Sequence, residues 1–216
     1  MTKTKEKDFV EIEYTGRIKE TNQIFDLTSE ELAKKENIYN PKANYGPKVI
    51  CLGEGNILKS LDGFLMEKET GVILKIELKP NEAFGNKNPD LIKIFSVNDF
   101  KDQKINPFPG LQINASGMFG TVRSVSGGRV TIDFNHPLAG KNLVYEIKIN
   151  RIVSNNIEKA DSLTKNLFEL SKKDYALEIK ENKAFIKFKV NIPEEAKKLF
   201  LKKANELIPS LEFILS

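Results

Sequence analysis

The stretch Val10-Glu-Ile-Glu-Tyr14-Thr-Gly16 alternates apolar and charged side chains along its first five positions. Successive side chains of a β-strand point to opposite faces, so this alternation predicts a strand over residues 9–18 with one face buried. The same period of two returns over residues 72–79 and 143–149, and a shorter apolar segment at 24–27 predicts one more strand. Together these segments predict a sheet with one apolar face, which another element must cover.

A short helix is predicted to cover that face. Gly53-Glu-Gly55 interrupts an apolar strand predicted at 48–52. The apolar residues that follow lie at i, i+4, i+7 and i+8, the spacing of one helical face: Ile57, Leu61, Phe64 and Leu65. They predict a helix over residues 57–66. Thr28 with Glu31 forms the pattern of a capping box, which predicts a second, brief helix.

Residues 87–133 differ in composition from the segments on either side. Apolar side chains are scattered through them, and prolines and glycines interrupt the periodic patterns. The turn Ser126-Gly-Gly128 separates two apolar segments, which is a strong signal for a β-hairpin. This region is therefore predicted to form a small β-rich unit.

The C-terminal part predicts a further domain. Ser154-Asn-Asn156 is typical of a hinge, and an apolar helical stripe follows it: Leu163, Leu167 and Leu170. Residues 184–190 alternate as a strand, Pro193-Glu-Glu195 has the composition of a helix N-terminus, and residues 211–215 predict a last strand. We expect a compact α+β domain over residues 157–216.

Composition excludes several classes of function. The chain has 34 Lys and Arg against 30 Asp and Glu, and a surface of such mixed sign disfavours nucleic acid as a partner. Cys51 is the single cysteine and lies in an apolar run, so it is predicted to be a buried hydrophobic residue. His136, the single histidine, has no second histidine or cysteine to complete a zinc site. No segment has the roughly 18 to 20 apolar residues of a membrane span. We expect a cytoplasmic protein with no membrane contact, no metal and no cofactor.

A set of motifs in a fixed order resembles the FKBP-type peptidyl-prolyl cis-trans isomerases along residues 8–152. The motifs are Val10-Glu-Ile-Glu-Tyr14-Thr-Gly16, Phe25-Asp26, Leu52-Gly-Glu-Gly55-Asn-Ile-Leu58, Ala83-Phe84-Gly85, and His136-Pro-Leu-Ala-Gly140-Lys-Asn-Leu-Val144-Tyr145-Glu146. Each motif alone is weak, whereas five in family order are specific. The resemblance implies an α+β fold: an antiparallel sheet wrapped on the short helix, a β-rich insert and the C-terminal α+β domain.

Within that family the chain is most similar to the SlyD-like branch, in which an extra domain is inserted in the flap. The insert would be residues 87–133, which leaves 1–86 and 134–153 as a discontinuous isomerase domain before the C-terminal domain at 157–216. The extension over 30–46 and the C-terminal domain resemble the longer archaeal members. The sequence lacks the Cys/His-rich tail of some SlyD relatives, so the resemblance implies no metal site.

The resemblance also implies an aromatic, largely dry bowl that binds the proline. Tyr14, Phe25 and Tyr145 would form its walls, and Leu61 would lie at its floor, where many relatives have tryptophan. Asp26 would sit at the rim. The apolar bowl would accelerate rotation about the prolyl bond without a nucleophile, a base or a cofactor.

Three further positions belong to the implied bowl. Ile57 and Leu58 would begin the helix beneath it, where a backbone N–H binds a substrate carbonyl. Phe84 stands where relatives usually have tyrosine, and this departure removes a hydroxyl donor. Without the resemblance, the aromatic residues on the predicted strand faces are equally what a plain core would contain.

The insert has more apolar side chains than a unit of its size buries well, so we expect an exposed apolar patch. In the resembling family the insert binds unfolded chains, which implies a set of client-binding residues: Leu91, Ile92, Ile94, Phe95, Phe100, Phe108, Met118 and Phe119. Packing of all these side chains into a core is the alternative.

The function implied is prolyl isomerisation with chaperone-like binding of unfolded polypeptides, which assists protein folding. Its partners would be unfolded or proline-containing polypeptides, and macrolide-type inhibitors are a further candidate class of ligand. One alternative is a non-catalytic client-binding chaperone with an inactive pocket, which Phe84 and Leu61 favour. A second alternative gives the C-terminal domain a nucleic-acid or ribosome contact, which its nearly balanced charge disfavours.

Overall fold

The computed structural model describes residues 2–102, 104–115 and 117–216. The chain forms two compact units, one of Met1–Glu77 with Val144–Ser216 and the other of Leu78–Leu143. Both units combine β-sheet with helix, so the predicted α+β class is confirmed at that level. None of the helices within the described ranges is long and apolar enough to cross a membrane.

The elements alternate between strands and short helices. In chain order the strands are β1 (Phe9–Ile18), β2 (Ile24–Leu27), β3 (Lys48–Cys51), β4 (Ile73–Leu78), β5 (Ile92–Ser96), β6 (Gln112–Ala115), β7 (Met118–Ser126), β8 (Arg129–Asp133), β9 (Leu143–Ile152), β10 (Tyr175–Lys180), β11 (Lys183–Phe188) and β12 (Glu212–Leu215). The helices are α1 (Glu30–Lys35), α2 (Lys59–Leu65), α3 (Val97–Asp102), α4 (Asn156–Phe168) and α5 (Glu194–Leu207).

The first unit is built on a five-stranded sheet in which β1 pairs with three neighbours. The strand order is β2-β1-β9-β4, and β3 also pairs with β1. Both β2 and β3 run antiparallel to β1. The alternation predicted for β1 is confirmed, because Val10 and Ile12 are fully buried while Glu11 and Glu13 are half-buried. Strand β1 therefore anchors the sheet, and it positions the residues of its second half, which pairs with β2.

Helix α2 begins two residues later than predicted, so Ile57 and Leu58 do not begin it. Leu58 is its N-cap residue and makes no side-chain capping hydrogen bond. Inside the helix, the buried carboxylate of Asp62 accepts hydrogen bonds from the backbone N–H groups of Gly53 (3.0 Å) and Gly55 (3.2 Å). The side chain of Asp62 thus holds the turn at Gly53 and Gly55 in place, and α2 begins only after this turn, at Lys59.

The predicted capping box at Thr28 is wrong. Ser29 caps α1, because its Oγ accepts a hydrogen bond from the N–H of Leu32 at 3.1 Å. Thr28 is instead buried against β1, where its Oγ1 accepts a hydrogen bond from the backbone N–H of Tyr14 at 2.9 Å. In sequence, a threonine three residues before a glutamate can cap a helix or bind a neighbouring strand. In the structure the hydroxyl of Thr28 is hydrogen-bonded to the backbone of β1.

The C-terminal elements share a hydrophobic core with the five-stranded sheet. Strand β11 lies between β10, to which it is antiparallel, and β12, to which it is parallel. The core contains the fully buried Phe200 of α5 together with Phe9 of β1 and Val153 after β9. On α4, Ser162 donates a hydrogen bond of 2.6 Å to the carbonyl of Val49 on β3. Strand β3 is therefore covered by the C-terminal part of the chain.

The second unit is a four-stranded sheet in the order β5-β8-β7-β6, all antiparallel. The predicted hairpin is confirmed: Gly127 and Gly128 join β7 to β8, and both have positive φ angles (57° and 76°), as the tight turn requires. Val122, Val130 and Ile132 are buried on one face of this sheet and form its core with Phe100.

We predict that Phe200→Ala destabilises the whole first unit. Its ring is fully buried in the shared core, so the change should lower the free energy of unfolding by about 3 to 5 kcal/mol. Leu199→Ala, at the adjacent and 53% exposed position, is the matched control and should change it by less than about 0.5 kcal/mol. Denaturant unfolding followed by circular dichroism measures both, and equal effects of the two changes would contradict the prediction.

Candidate active site

Three neighbouring strands bring an aromatic cluster together on one side of the first unit. Phe25 on β2 and Tyr145 on β9 lie on either side of β1, with ring centroids 5.5 Å apart in an edge-to-face arrangement. The ring of Tyr14 on β1 lies 6.2 Å from that of Tyr145. The ring of Tyr145 therefore contacts both of the other aromatic residues predicted to wall the bowl.

Gly16 makes that approach possible. A Cβ atom at this position would lie 2.7 Å from Cζ of Phe25 and 2.9 Å from Cε1 of Tyr145, closer than real Cβ contacts. The two rings meet over the bare backbone of β1. The sequence motif contained this glycine, but only the packing of strands on both sides of it shows why a side chain cannot stand there.

A β-bulge explains how two consecutive residues of β2 both serve the site. Neighbouring side chains of a regular strand point to opposite faces. Gly16 pairs with Asp26 and Arg17 with Ile24, so Phe25 is the extra residue of an irregular register. The bulge lets the Phe25 ring reach Tyr145 while the Asp26 carboxylate accepts a hydrogen bond from the Tyr14 hydroxyl at 2.9 Å.

Lys48 is part of the site and was missed by sequence reasoning. Its Nζ donates a hydrogen bond of 2.8 Å to the Tyr14 hydroxyl and lies 5.1 Å from the centre of that ring. The Tyr14 hydroxyl thus accepts from Lys48 and donates to Asp26. A lysine at the first position of a strand reads as a solvated side chain, so nothing in the local sequence indicated this contact.

The phenols of the cluster are held neutral. Burial raises the pKa of Tyr14 above its ordinary value of 10, and the negative charge and hydrogen bond of Asp26 raise it further. Burial also raises the pKa of Tyr145, with a smaller contribution from Asp26. Neither hydroxyl can release a proton near neutral pH, so the cluster is suited to binding and polarising a group and not to acid–base catalysis.

The remaining predicted residues of the first unit lie around α2. Leu61 is buried at 4% exposure, whereas Ile57 and Leu58 are half-buried in the segment before the helix. Ile57 and Tyr14 both line a cavity of about 590 Å³. Ile57 therefore lines the same cavity as Tyr14, whereas Leu58 and Leu61 are not among the residues that line it.

Phe84 belongs to the second unit. Its ring is stacked on that of His136, with centroids 4.4 Å apart and planes 2° from parallel. Nearby, Gly140 donates a backbone hydrogen bond of 2.8 Å to Gly85. These contacts join two motifs far apart in sequence. The imidazole Nδ1 of His136 accepts a hydrogen bond from the N–H of Leu138 at 3.1 Å, so the ring is bound within its own turn.

Comparison with known proteins identifies the family. The short-type peptidyl-prolyl cis-trans isomerase of Methanocaldococcus jannaschii is 30% identical over 148 residues, which cover 68% of this chain and 93% of that protein. The chain belongs to the FKBP-type peptidyl-prolyl cis-trans isomerases. The FKBP-type 16 kDa isomerase of Escherichia coli is 32% identical over 113 residues, 50% of this chain and 76% of that enzyme.

The inserted domain of this FKBP-type chain is recognised separately. Residues 93–138 match the family model of the IF domain of FKBP26. The SlyD isomerase of Treponema pallidum is 30% identical over 105 residues, covering 46% of this chain and 58% of that protein. The SlyD-like branch with an insert in the flap, inferred from the motif order, is thereby confirmed.

Metal binding has no support among the residues that the structure describes, because they contain no group of three or more His, Cys, Asp or Glu side chains able to hold an ion. Cys51 is buried as predicted, and burial raises the pKa of its thiol to about 12.

We predict that the stability of this FKBP-type protein falls as the pH rises above about 10. A tyrosine of the unfolded chain loses its proton near pH 10, whereas Tyr14 and Tyr145 retain theirs to higher pH when folded. Above that pH the unfolded chain binds fewer protons than the folded one, so the free energy of unfolding decreases with pH. Denaturant unfolding between pH 8 and 11 measures this decrease.

Tyr14→Phe provides the test of the cause. The variant cannot ionise at position 14, so its stability should fall less steeply over the same pH range. Parallel curves for the wild-type protein and the variant would show that the half-buried Tyr14 does not contribute.

Proposed function

We propose that the protein catalyses cis-trans isomerisation of X-Pro peptide bonds in unfolded or partly folded polypeptides, and that its inserted domain holds those polypeptides. The observation that carries the first part is the cluster of Tyr14, Phe25 and Tyr145, with Asp26 fixed by the Tyr14 hydroxyl, in a chain of the FKBP-type family. The relatives that share this family are named peptidyl-prolyl cis-trans isomerases.

The reaction needs no covalent chemistry. Amide resonance opposes rotation about the prolyl bond by about 18 to 20 kcal/mol, and rotation breaks that resonance. The planar amide is more dipolar than the twisted one, so an aromatic environment stabilises the planar ground state less than water does. The twisted transition state loses less solvation free energy on entering the bowl, and the barrier to rotation is therefore lower there.

Asp26 would orient the substrate and polarise it electrostatically. Its carboxylate is held by the Tyr14 hydroxyl and so presents a fixed negative charge beside the rings. A fixed charge is effective in catalysis because it does not have to reorganise during the reaction. In this proposal Ile57, Leu58 and Leu61 shape the bowl and bind the substrate backbone, as their counterparts in the family imply, and the role of Phe84 stays a prediction from the resemblance.

We predict that Tyr145→Ala lowers kcat/KM for a short X-Pro peptide by at least tenfold, because it removes the ring shared by both aromatic contacts. Asp26→Asn should reduce it less, since the amide keeps the shape and a polar oxygen. NMR exchange spectroscopy measures the rate directly. Circular dichroism must show that each variant is folded, and Tyr39→Ala, an exposed tyrosine in the 30–46 extension, is the control that should keep full activity.

The second candidate function, a client-binding chaperone with an inactive pocket, is the outcome if the wild-type protein gives only the uncatalysed rate. A steep titration of activity assignable to Asp26 would contradict the electrostatic role and indicate acid–base catalysis instead.

Client holding is supported by exposed apolar side chains on the second unit. Ile94 on β5 pairs with Thr131, and Phe119 on β7 alternates with the buried Gly120, so both lie on the face opposite the core. Ile94 is 64% and Phe119 77% exposed. These two exposed apolar side chains, on the non-adjacent strands β5 and β7, are the observation that supports the client-holding proposal. We name these two residues the outer apolar face.

The other predicted client-binding residues differ in exposure. Phe108 (55%) and Met118 (49%) are also exposed, but Met118 directly precedes Phe119 on β7 and therefore lies on the other face of the sheet. Leu91, Ile92 and Phe95 are half-buried. Phe100 is 7% exposed and packs in the core, so it is left out of the proposed surface. Phe100 lies on α3 with its ring in the core of the sheet, and the composition of the segment alone could not show this burial.

We predict that the double change Ile94→Ser and Phe119→Ser weakens protein refolding far more than peptide isomerisation. A short peptide offers its proline freely, whereas a refolding chain must first be captured, and a linked binding surface raises its local concentration. The proline-limited refolding rate and light scattering of an aggregating client measure the effect, while the peptide kcat/KM should stay within about twofold.

Leu199→Ser is the matched control for this prediction, since Leu199 is an exposed apolar residue (53%) of the first unit. It should alter neither activity. An equal loss of peptide and protein activity in the double variant would mean that the outer apolar face supports the fold of the enzyme, and the client-binding proposal would fail.

A further inference from the structure

A cavity in the first unit lies between Tyr14, one member of the aromatic cluster, and the C-terminal part of the chain. Its volume is about 590 Å³, within the range of ligand-binding sites. Tyr14 and Ile57 line it on one side, and the segment before β3 lines it with Lys48. Helix α4 and the segment after it supply the other wall, including Lys165 and Lys172.

The charges that line the cavity leave it with available cations. Its two carboxylates already have partners: Asp161 lies 2.5 Å from Lys165, and Glu158 lies 2.5 Å from Arg151. Within the described ranges, no carboxylate lies within 4.0 Å of the Nζ atom of Lys48.

Lys172 likewise has no carboxylate partner among the described residues. It is exposed, and no ion pair within the described ranges includes it. Opposite walls of the cavity thus each carry a lysine without a direct ion pair, and the Tyr14 hydroxyl separates Lys48 from the carboxylate of Asp26. Such a pair favours an anionic group between or beside the walls.

We propose that this cavity binds the stretch of polypeptide next to the isomerised proline and favours a stretch that carries an acidic side chain. The proposal rests on the prolyl isomerase function above. Tyr14 belongs to both places, because its hydroxyl binds Asp26 on the side of the aromatic cluster and its side chain lines the cavity. A chain with its proline against the cluster reaches the cavity within a few residues, at about 3.3 to 3.6 Å for each extended residue.

The chemistry of the lining fits a polypeptide. Asn44 and Asn166 provide amide groups, and Val49 and Ile50 provide apolar surface beside the charged groups. A peptide needs this mixture of backbone hydrogen bonding and side-chain contact. The proposal gives the C-terminal part of the chain a role in selecting the substrate, since without α4 the second wall and Lys172 are lost.

The experiment compares peptides that differ in one charge. The two peptides of each pair differ only in having Glu or Gln at one position. That position is varied, from pair to pair, over the four residues on each side of the X-Pro bond. The kcat/KM of each peptide is measured by NMR exchange at low salt. At one or more positions the Glu peptide should be preferred by about twofold to fivefold, the range of an exposed ion pair. The preference should fall towards one in high salt, which screens exposed charges.

Variants locate the preference. Lys48→Met and Lys172→Met should each reduce the ratio of kcat/KM for the Glu peptide to kcat/KM for the Gln peptide, whatever happens to the absolute rate. Lys48→Glu should reverse the charge preference, so that a third peptide with Lys at the same position is preferred. Lys187→Met removes an exposed charge from β11, outside the cavity, and is the matched control that should keep the wild-type ratio. A merely structural role of Lys48 would change the rate for both peptides and leave their ratio unaltered.

Two results would overturn the proposal: equal kcat/KM for Glu and Gln at every position, or a preference that survives in the Lys48→Met, Lys172→Met double variant. Absence of isomerisation for every peptide would contradict the proposed function instead. Fluorescence titration of the labelled Glu and Gln peptides then still decides the cavity proposal, because preferential binding of the Glu peptide that depends on Lys48 and Lys172 supports it and equal binding overturns it.

Discussion

The close approach of two aromatic rings over Gly16 is the constraint on which the site depends. Phe25 and Tyr145 come from strands on opposite sides of β1, and their rings occupy the space that a Cβ atom at position 16 would need. Strand β1 can tolerate a missing side chain there because Val10 and Ile12 secure its other half in the core. The bulge in β2 then turns the Phe25 ring towards the cluster without moving Asp26 away from Tyr14.

The hydroxyl of Tyr14 has partners on both sides, while the rings around it present a largely apolar surface. Tyr14 accepts a hydrogen bond from Lys48 and donates one to Asp26, and its backbone N–H is bound by Thr28. A buried hydroxyl without partners would cost free energy and disturb the packing of the rings. With partners on both sides, the hydroxyl holds a carboxylate at a fixed position beside an apolar surface. That combination suits the rotation of an amide, because it requires an apolar surface and a fixed charge and no proton transfer.

The C-terminal part of the chain is bound to the enzyme sheet by shared packing. Phe200 lies in the same core as Phe9 and Val153, and Ser162 is hydrogen-bonded to the carbonyl of Val49 on β3. This packing covers the edge of β3, an edge that would otherwise expose unpaired backbone groups. It also places α4 across from Lys48, so that one cavity has walls from two distant parts of the sequence. The second unit has a core of its own, and Ile94 and Phe119 lie on the opposite face of its sheet, exposed to solvent.

The sequence by itself determined the family and several of the strands, and the family resemblance supplied the aromatic residues proposed for the site, whereas β5, β6 and β10 were not predicted. Alternation along β1 and the glycine pair of the β7–β8 hairpin act locally, through the pleat of a strand and the positive φ of a turn, so they are legible without a tertiary structure. Tertiary structure alone decided the start of α2, the role of Thr28, the burial of Phe100 and the contact of Lys48 with Tyr14. Each of these depends on a partner distant in the chain, and no local pattern records which of two equally suitable partners a side chain will meet.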